Sequence, residues 1–524
     1  MAAGSAEKVV TWLEQRIEPL EVAFHRAYWA SQVEASPEND EERARLELEL
    51  RSTKGDPEAL REVESALSED LHDPVVKRRL QVLRLSLTAN QMDERSRQSL
   101  VDLATEVESE FATYRPSLGG TQVSDNEIEQ VLKDSDDDAE RQAAWRASKE
   151  IGTRVMERVR ELARIRNAKA HDAGFSDHYS MALELQELRE DWLFGVLDAL
   201  EGLTRDPFER WKGELDEQLK ARFGVSDLYP WHHADPFFQS IPPDGQRSLD
   251  DRFGEGAAEA LARRTFDAWG VPLDRVLDRS DLYPRQLKCQ HAFCLDVDRQ
   301  GDVRILANVV PGERWVEVML HECGHAAYDV SIEPTLPYLL RRPAHTFVTE
   351  AVAIMSGRLV RDPHWLRSIA RIEGDDVAGF RRGNILQSLL FARWGLVMVH
   401  FERALYADPE GDLDGVWWEL VERFQLSRAP ADPPPGAWAA KIHIAVAPVY
   451  YHNYLLGELL ASQLEDTMKK AYGEGVTEET GGLLVDRLFR SGNLLRWDAL
   501  VEEATGTALE PDAHARYLRS EGDS

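Results

Sequence analysis

The most informative stretch of the chain is Glu313-Arg314-Trp315-Val316-Glu317-Val318-Met319-Leu320-His321-Glu322-Cys323-Gly324-His325. Its apolar side chains recur at helical spacing and continue to residue 330, which predicts a partly buried helix. His321 and His325 are four residues apart, so on a helix they share one face and can bind one metal ion through imidazole nitrogens. Glu322 then lies beside that ion, where a general base takes a proton from metal-bound water.

A third candidate ligand, Glu350, begins the apolar run that continues through Ala351-Val352-Ala353-Ile354-Met355. The histidine motif also occurs by chance on ordinary helices, so its setting decides the interpretation. Histidine and glutamate side chains that face an apolar core are costly to bury unless they bind a partner such as a metal ion. Three protein ligands leave the fourth tetrahedral position for water, as in catalytic zinc sites. We predict that His321, His325 and Glu350 bind Zn²⁺ and that Glu322 is the base of a metallopeptidase.

The composition of the chain excludes several classes of partner. At 524 residues the net charge is −32, and binding to phosphates needs clustered Lys and Arg, so we expect no nucleic-acid partner. No apolar run approaches the roughly 20 residues of a membrane span, so we expect no membrane partner. No basic segment followed by an apolar one is visible at the N-terminus, and only 3 cysteines occur, so we expect a cytoplasmic protein without disulfides. The sequence gives no expectation for the oligomeric state.

The organisation of the chain predicts one large unit over residues 1–524, because no repeat or Gly/Ser linker divides it. Residues 6–222 form a succession of long amphipathic segments with the period of a helix. Within the unit we therefore distinguish an N-terminal helical scaffold, residues 1–222, from a catalytic part, residues 223–524, that contains the predicted zinc helix.

Strand character is confined mainly to residues 291–297 and 302–306, which are joined by Asp298-Arg299-Gln300-Gly301. This pattern predicts an antiparallel hairpin. Because the hairpin immediately precedes the predicted zinc helix, one of its edges is a candidate for pairing with an extended peptide. A ribbon that only stabilises the fold is the alternative interpretation.

Two polar clusters follow a proline-rich connection at residues 429–436. The first is Lys441-Ile442-His443-Ile444, and the second is the tyrosine cluster Tyr450-Tyr451-His452-Asn453-Tyr454, at the predicted opening of another helix. Both clusters are candidates for the remainder of the site. Packing at a helix start without a catalytic role is the alternative for the tyrosines.

These residues resemble the angiotensin-converting-enzyme family of zinc peptidyl-dipeptidases, which is related to the thimet-oligopeptidase-like peptidases. The similarity extends beyond the zinc motif to several short motifs within residues 290–520 and, more diffusely, to the N-terminal helices. These motifs are His291-Ala292, Arg304-Ile305, Arg341-Arg342, Trp417-Trp418, Lys441-Ile442-His443-Ile444, the tyrosine cluster, Trp497 and Thr505-Gly506.

The resemblance implies the same zinc ligands and base, and it adds further roles. Tyr454 would donate a hydrogen bond to the oxyanion that develops on the scissile carbonyl, because a phenol donates while it stays neutral at about pH 7. His443 would be the accompanying donor. His291 and the backbone of Ala292 would hold the substrate in an extended form.

Lys441 resembles the lysine that receives the C-terminal carboxylate of the substrate, with a tyrosine beside it. A solvated surface lysine is the alternative. We predict Tyr451 as its partner, because Tyr451 lies three residues before Tyr454. Counting from Lys441 without a gap would select Tyr450 instead.

The chain departs from the family at several positions. Gln290 and Asn308 occupy positions where the family commonly has a disulfide, which fits a cytoplasmic location. Asn453 replaces an arginine that is associated with chloride in the animal enzymes, so the resemblance leaves chloride dependence open. Ile354 replaces an aspartate of the outer metal shell, so this shell must be built differently.

We therefore expect a mainly α peptidase with two helical lobes around a deep cleft, zinc at its floor, and a small antiparallel β element beside the zinc helix. It would hydrolyse short unstructured peptides by attack of zinc-polarised water and would release C-terminal dipeptides. The first alternative is an endo-acting oligopeptidase or carboxypeptidase of related fold. The second is an inactive zinc or peptide-binding scaffold, against which the intact Glu322 argues.

Overall fold

A computed structural model describes residues 3–241, 249–373 and 377–519 of the chain. These residues contain 21 α-helices and two small antiparallel sheets, which confirms the prediction of a mainly α fold. In chain order the helices are α1 (Ala3–Val33), α2 (Pro37–Lys54), α3 (Pro57–Leu67), α4 (Pro74–Asn90), α5 (Glu94–Thr113), α6 (Asp125–Asp134), α7 (Asp138–Asp172), α8 (His178–Leu185), α9 (Glu190–Phe223), α10 (Ala257–Ala268), α11 (Asp274–Leu277), α12 (Glu313–Ser331), α13 (Thr346–Arg358), α14 (Pro363–Ser368), α15 (Val377–Ala407), α16 (Leu413–Gln425), α17 (His443–Val446), α18 (His452–Tyr472), α19 (Glu478–Leu484), α20 (Trp497–Thr505) and α21 (Asp512–Arg519).

Each sheet is a two-stranded hairpin. β1 (Ser117–Leu118) pairs with β2 (Thr121–Gln122), and β3 (Phe293–Asp296) pairs with β4 (Val303–Leu306) in the register Phe293↔Leu306. The β3–β4 pair confirms the predicted hairpin, although both strands are shorter than the sequence pattern. Next to it the side-chain amide of Asn308 donates to the Cys289 carbonyl at 2.9 Å, so a hydrogen bond ties the chain near the position of the family's disulfide.

The chain forms two compact units, each built from separated segments of the chain. The first comprises Met1–Gln91, Arg247–Arg381 and Leu456–His514, and the second comprises Met92–Gln246, Arg382–Leu455 and Ala515–Ser524. The expected single metallopeptidase unit, with its scaffold and catalytic parts, and the expected cleft stay predictions.

In the first unit, the N-terminal helices begin at similar sequence signals. Ser36, Asp56 and Asp73 each cap a helix whose first residue is proline, and Asp73 Oδ1 accepts from the Val75 amide at 2.8 Å. Proline suits this position because its missing N–H would have no partner inside the helix. The apolar faces of these helices then bury a shared core. Its members include Leu13, Ile17, Val63, Leu80 and Leu83.

The zinc helix predicted from the sequence is α12, and it confirms the expected span to within a residue. The second predicted helix, α13, begins at Thr346, four residues before Glu350. It starts earlier because His345 caps it: His345 Nδ1 accepts from the Phe347 amide at 3.2 Å. Glu350 therefore lies in the second turn of α13 rather than at its start.

The second unit is organised around two long helices, α7 and α9, of 35 and 34 residues. The core on α9 is formed by Phe208, Leu215 and Leu219, which pack with Ile385 and Leu389 of α15. Every helix within the described residues is too short or too polar to cross a membrane.

In the second unit, the backbone of the segment before Lys441 lies in close contact with the backbone of α7. A β-carbon added at Gly152 of α7 would lie 2.2 Å from the Gly436 carbonyl oxygen and 2.8 Å from the Ala440 amide nitrogen. Only glycine therefore allows this approach. Gly436 itself has a φ of +69°, a conformation that glycine adopts without strain. The contact fixes the turn from which Lys441 extends.

Candidate active site

The three predicted metal ligands meet in the first unit. One ligand atom from each of His321, His325 and Glu350 lies within 4.8 Å of the other two. His321 Nε2 is 3.8 Å from Glu350 Oε2, and the two imidazole rings are nearly perpendicular, with centroids 5.1 Å apart. Donor atoms around a tetrahedral zinc ion with bonds of about 2.1 Å are about 3.4 Å apart. The side chains thus fit a zinc ion with small adjustments.

Glycines allow the helices that carry these ligands to approach one another. A β-carbon at Gly324 would lie 2.8 Å from the Ala353 Cα and 3.0 Å from the Val352 carbonyl oxygen, so α12 and α13 touch backbone to backbone. A β-carbon at Gly457 of α18 would lie 3.2 Å from the Glu350 Cβ. The position of Glu350 is therefore set by the close approach of α12 to α13 and by the close approach of α18 to Glu350 itself.

Thr349 lies beside the candidate metal site, and no sequence motif points to it. Its Oγ1 is 2.7 Å from His325 Nδ1, which leaves Nε2 of that ring to face a metal. This contact orients a ligand in the way that an outer-shell carboxylate does, and Ile354 cannot supply it. The adjacency of Thr349 to Glu350 was the only signal for it in the sequence.

Burial keeps both imidazoles neutral. It lowers the pKa of His321 to about 4, and it lowers the pKa of His325 to about 3, with a smaller contribution from the neighbouring His321. A neutral imidazole has a lone pair available for a metal ion, whereas an imidazolium has none. The pair is therefore in the state that binds zinc at neutral pH.

Glu322 lies in an apolar setting beside the ligands. It is 7% exposed, and burial, followed by the charge of Glu350, raises its pKa to about 8. The Cys294 backbone N–H donates to its carboxylate, so β3 holds the side chain in place. A bound dication would favour the ionised form of this carboxylate. The arrangement suits a group that takes up and releases a proton.

The predicted substrate-binding residues of the first unit lie at the start of β3. Ala292 immediately precedes the strand, and the side chain of His291 is exposed. Within the described residues, β3 pairs with β4 only, and the Cys294 N–H of this strand donates to Glu322. The roles of His291 and Ala292 stay predictions.

Lys441 lies in the second unit, in a cluster of polar and aromatic side chains. Its Nζ donates to Gln239 Oε1 at 2.9 Å and lies 5.4 Å from the centre of the Trp394 ring and 5.6 Å from that of Phe237. Burial lowers the pKa of Lys441 to about 8, against the opposing effect of Asp235 and Glu129. A cavity of about 440 Å³ opens beside it. This cavity is lined by residues that include Gln239, Lys441 and His443.

Tyr451 belongs to the same cluster. The Trp394 indole N–H donates to its hydroxyl at 2.9 Å, so one tryptophan contacts both Tyr451 and Lys441. The Tyr451 ring also lies 5.5 Å from the rings of both His443 and Tyr454. Tyr450 contacts the Tyr454 ring at 5.2 Å. The contact with Trp394 favours Tyr451 over Tyr450 as the partner of Lys441.

Gln239, to which no sequence motif points, is held in place by the buried Asp235. Both oxygens of Asp235 accept backbone hydrogen bonds at 2.8–2.9 Å, from the amides of Phe237, Gln239 and Ser240. The carboxylate thereby fixes the loop that presents Gln239 to Lys441. Gln239 and Lys441 are 202 residues apart, so no local pattern links them.

The structure thus brings the predicted residues together in two groups. His321, Glu322, His325 and Glu350 meet in the first unit, near the strand that follows Ala292. The second unit brings together four more, which are Lys441, His443, Tyr451 and Tyr454. His291 and Ala292 directly precede β3 in the first unit.

Comparison with known families adds an independent finding. The family model described as angiotensin-converting enzyme (Peptidase_M2) matches residues 2–194. The match covers the N-terminal helices, where the resemblance was most diffuse, and it confirms the resemblance to this family of peptidases. Peptidases of this family depend on zinc, in agreement with the ligand set above. A search of curated proteins finds no match.

Proposed function

Because the chain is similar to the angiotensin-converting-enzyme family of zinc peptidases, we propose that it hydrolyses short unstructured peptides and releases dipeptides from their C-termini. The observation that carries the proposal is the convergence of two neutral imidazoles and one carboxylate, with Glu322 beside them. A general base adjacent to such a ligand set is what hydrolysis of an amide requires.

We assign the proton transfers to Glu322. Bound zinc would supply a Lewis acid that polarises the scissile carbonyl and makes a water molecule more acidic. Glu322 takes the proton of the attacking water and then donates it to the leaving amine. A pKa near neutrality suits both steps, since the same group must act as base and as acid. The hydrogen bond from the Cys294 amide keeps the carboxylate oriented between the two steps.

We assign stabilisation of the oxyanion to Tyr454, with His443 as a second donor. Both residues contact Tyr451, and Tyr454 also packs against the Phe391 ring at 6.2 Å. Side chains held by several ring contacts lose little further entropy when the reaction occurs. Loss of one such donor typically lowers kcat about 10²–10³-fold.

We propose that Lys441, Gln239 and Tyr451 bind the C-terminal carboxylate of the peptide. An ammonium, an amide and a phenol provide complementary donors for a carboxylate. His291 and the Ala292 backbone would hold the peptide in an extended form along β3. An anchor for the chain end supports an exopeptidase over an endo-acting oligopeptidase. A carboxypeptidase would use a similar anchor, so the length of the released product decides between them.

The experiment is incubation of the full chain with an unmodified decapeptide, followed by identification of the products by mass spectrometry. We expect successive loss of dipeptides and a much slower reaction of the amidated peptide. Release of single residues would indicate the carboxypeptidase, and equal rates on both peptides would indicate the endo-acting enzyme.

Glu322→Gln distinguishes an enzyme from a scaffold. We expect it to bind zinc and to lose essentially all hydrolysis, because glutamine cannot carry the proton. Glu503→Gln is the matched control, since Glu503 is exposed on α20 and should leave the rate unchanged. Equal background rates in wild type and Glu322→Gln would refute the catalytic role.

A further inference from the structure

A strained residue precedes the tyrosine cluster in the second unit. Val449, in the connection between α17 and α18, has a φ of +53° and is only 1% exposed. The left-handed region is unfavourable for any residue with a β-carbon and most unfavourable for a β-branched one. Such a conformation persists only where the surroundings fix it, and it is common at functional sites.

Two side chains hold the backbone of Val449 from either side. Its N–H donates to Glu402 Oε1 at 2.8 Å, and its carbonyl accepts from Gln186 Nε2 at 3.2 Å. Glu402 comes from α15, and Gln186 follows the end of α8. Both peptide groups of the strained residue are therefore fixed by elements distant in sequence.

Gln186 also connects the strained residue to the helix that carries Tyr454. Its Oε1 lies 3.1 Å from Asn453 Nδ2 and 3.1 Å from His452 Nε2, at the first turn of α18. One amide side chain thus links the connection to the helix start. Val449 is two residues before Tyr451 and five before Tyr454, so its conformation sets the direction in which the chain enters α18.

Glu402 is an unusual group for this position. It is only 2% exposed, and burial raises its pKa to about 8, which shows the cost of a carboxylate there. The nearby Arg166 is engaged with the Ala445 carbonyl at 2.7 Å and the Tyr406 hydroxyl at 3.1 Å. The cost of burying this carboxyl is offset in part by the hydrogen bond that it accepts from the Val449 N–H, which is itself buried.

We propose that Glu402 and Gln186 are positioning residues, which clamp Val449 in its left-handed conformation and thereby aim Tyr454 and Tyr451 at the substrate. The inference rests on the proposed function, because it assigns the clamp a role through the proposed oxyanion donor. The geometric demand is strict, since a misplacement of about 1 Å in a catalytic group can cost about 10² in rate.

A double-mutant cycle between Glu402 and Tyr454 tests this role. We expect Glu402→Ala to lower kcat about 10- to 100-fold, and Tyr454→Phe to lower it at least as much. In the Tyr454→Phe background, Glu402→Ala should cost no more than about threefold, because residues that act through one another are not additive. Glu402→Gln keeps an acceptor for the Val449 N–H and should retain kcat within about threefold.

The backbone itself provides a second test. Val449→Gly removes the penalty of the left-handed conformation, so Glu402→Ala should cost less in the glycine background than in wild type. The effect of the missing valine side chain is present in both members of that comparison and cancels. Zinc content and circular dichroism of every variant report whether the fold is intact. If Glu402→Ala does not fold, Gln186→Ala replaces it, with an expected loss of about 3- to 10-fold.

The outcomes separate the two proposals. Tyr454→Phe at the wild-type rate would remove the oxyanion role and this inference with it. A slow Tyr454→Phe combined with a fully additive effect of Glu402→Ala would overturn the inference alone. The same conclusion would follow if Glu402→Gln lost as much activity as Glu402→Ala, because the lost acceptor would then not be the cause.

Discussion

Gly324→Ala is expected to weaken zinc binding without any change in a ligand. The new β-carbon would lie 2.8 Å from the Ala353 Cα and 2.9 Å from the Ser356 Oγ, both on α13. An ordinary contact begins at 3.4 Å, so the two helices must separate by about 0.6 Å (3.4 − 2.8). Glu350 lies one helical turn from Ala353 and moves with it.

The magnitude follows from two opposing effects. Overpacking costs about 1–3 kcal/mol, whereas alanine gains about 1 kcal/mol over glycine as a helix former. The free energy of unfolding of the metal-free protein should therefore fall by no more than about 2 kcal/mol. A displacement of this size exceeds the tolerance of about 0.5 Å for a binding site, and a loss of about 10- to 100-fold in zinc affinity should result.

The assay is competition for zinc against a chelator of known affinity, combined with thermal unfolding of the metal-free and zinc-loaded protein. Gly202→Ala is the matched control: Gly202 is exposed on α9, and a β-carbon there would meet nothing within 4 Å. The control should raise stability by about 1 kcal/mol and leave zinc affinity unchanged. A Gly324→Ala variant with wild-type zinc affinity would refute the importance of the close approach of α12 and α13.

Three further predictions concern single side chains. Thr349→Val should lower zinc affinity about 10- to 100-fold, because His325 loses the partner that orients its ring, and chelator competition measures this loss. For a peptide with a free C-terminus, kcat/KM should fall as the pH rises through about 8, because Lys441 is cationic below its pKa of about 8 and neutral above it. This fall in kcat/KM should be absent when wild type acts on the amidated peptide and when Lys441→Met acts on either peptide. If Lys441→Met still shows the fall, another group causes it. Gly152→Ala should displace the turn at Gly436 and raise KM for peptides with a free C-terminus about tenfold. Its zinc affinity should stay at the wild-type value, and measuring it is the control.

Helix periodicity made the candidate metal site predictable from the sequence. His321, Glu322 and His325 lie within one helix, whose span follows from local apolar spacing. The β3–β4 hairpin was likewise predictable, because alternation and a glycine-containing turn are local signals. The start of α13 was predicted four residues too late, since the cap is a histidine, which is not among the common capping residues.

Contacts between distant segments limited the prediction of the remaining site. Gln239 reaches Lys441 across 202 residues, and Glu402 reaches Val449 across 47. Neither glutamine nor glutamate carries a local signature of such a role. The left-handed conformation of Val449 was also beyond sequence reasoning, because valine is among the residues least expected there.

The glycines provide a signal that the sequence does contain. A glycine within a helix costs about 1 kcal/mol relative to alanine, so a helix next to functional residues retains one only where something offsets that cost. Gly324 lies between the predicted zinc ligands of α12, and Gly152 supports the turn that precedes Lys441. In both cases a backbone contact, rather than side-chain packing, sets the position of a charged group. Helical glycines near a motif therefore indicate where another segment of the chain packs closely against it. Residues on that segment are candidates for the site even when the motif does not include them.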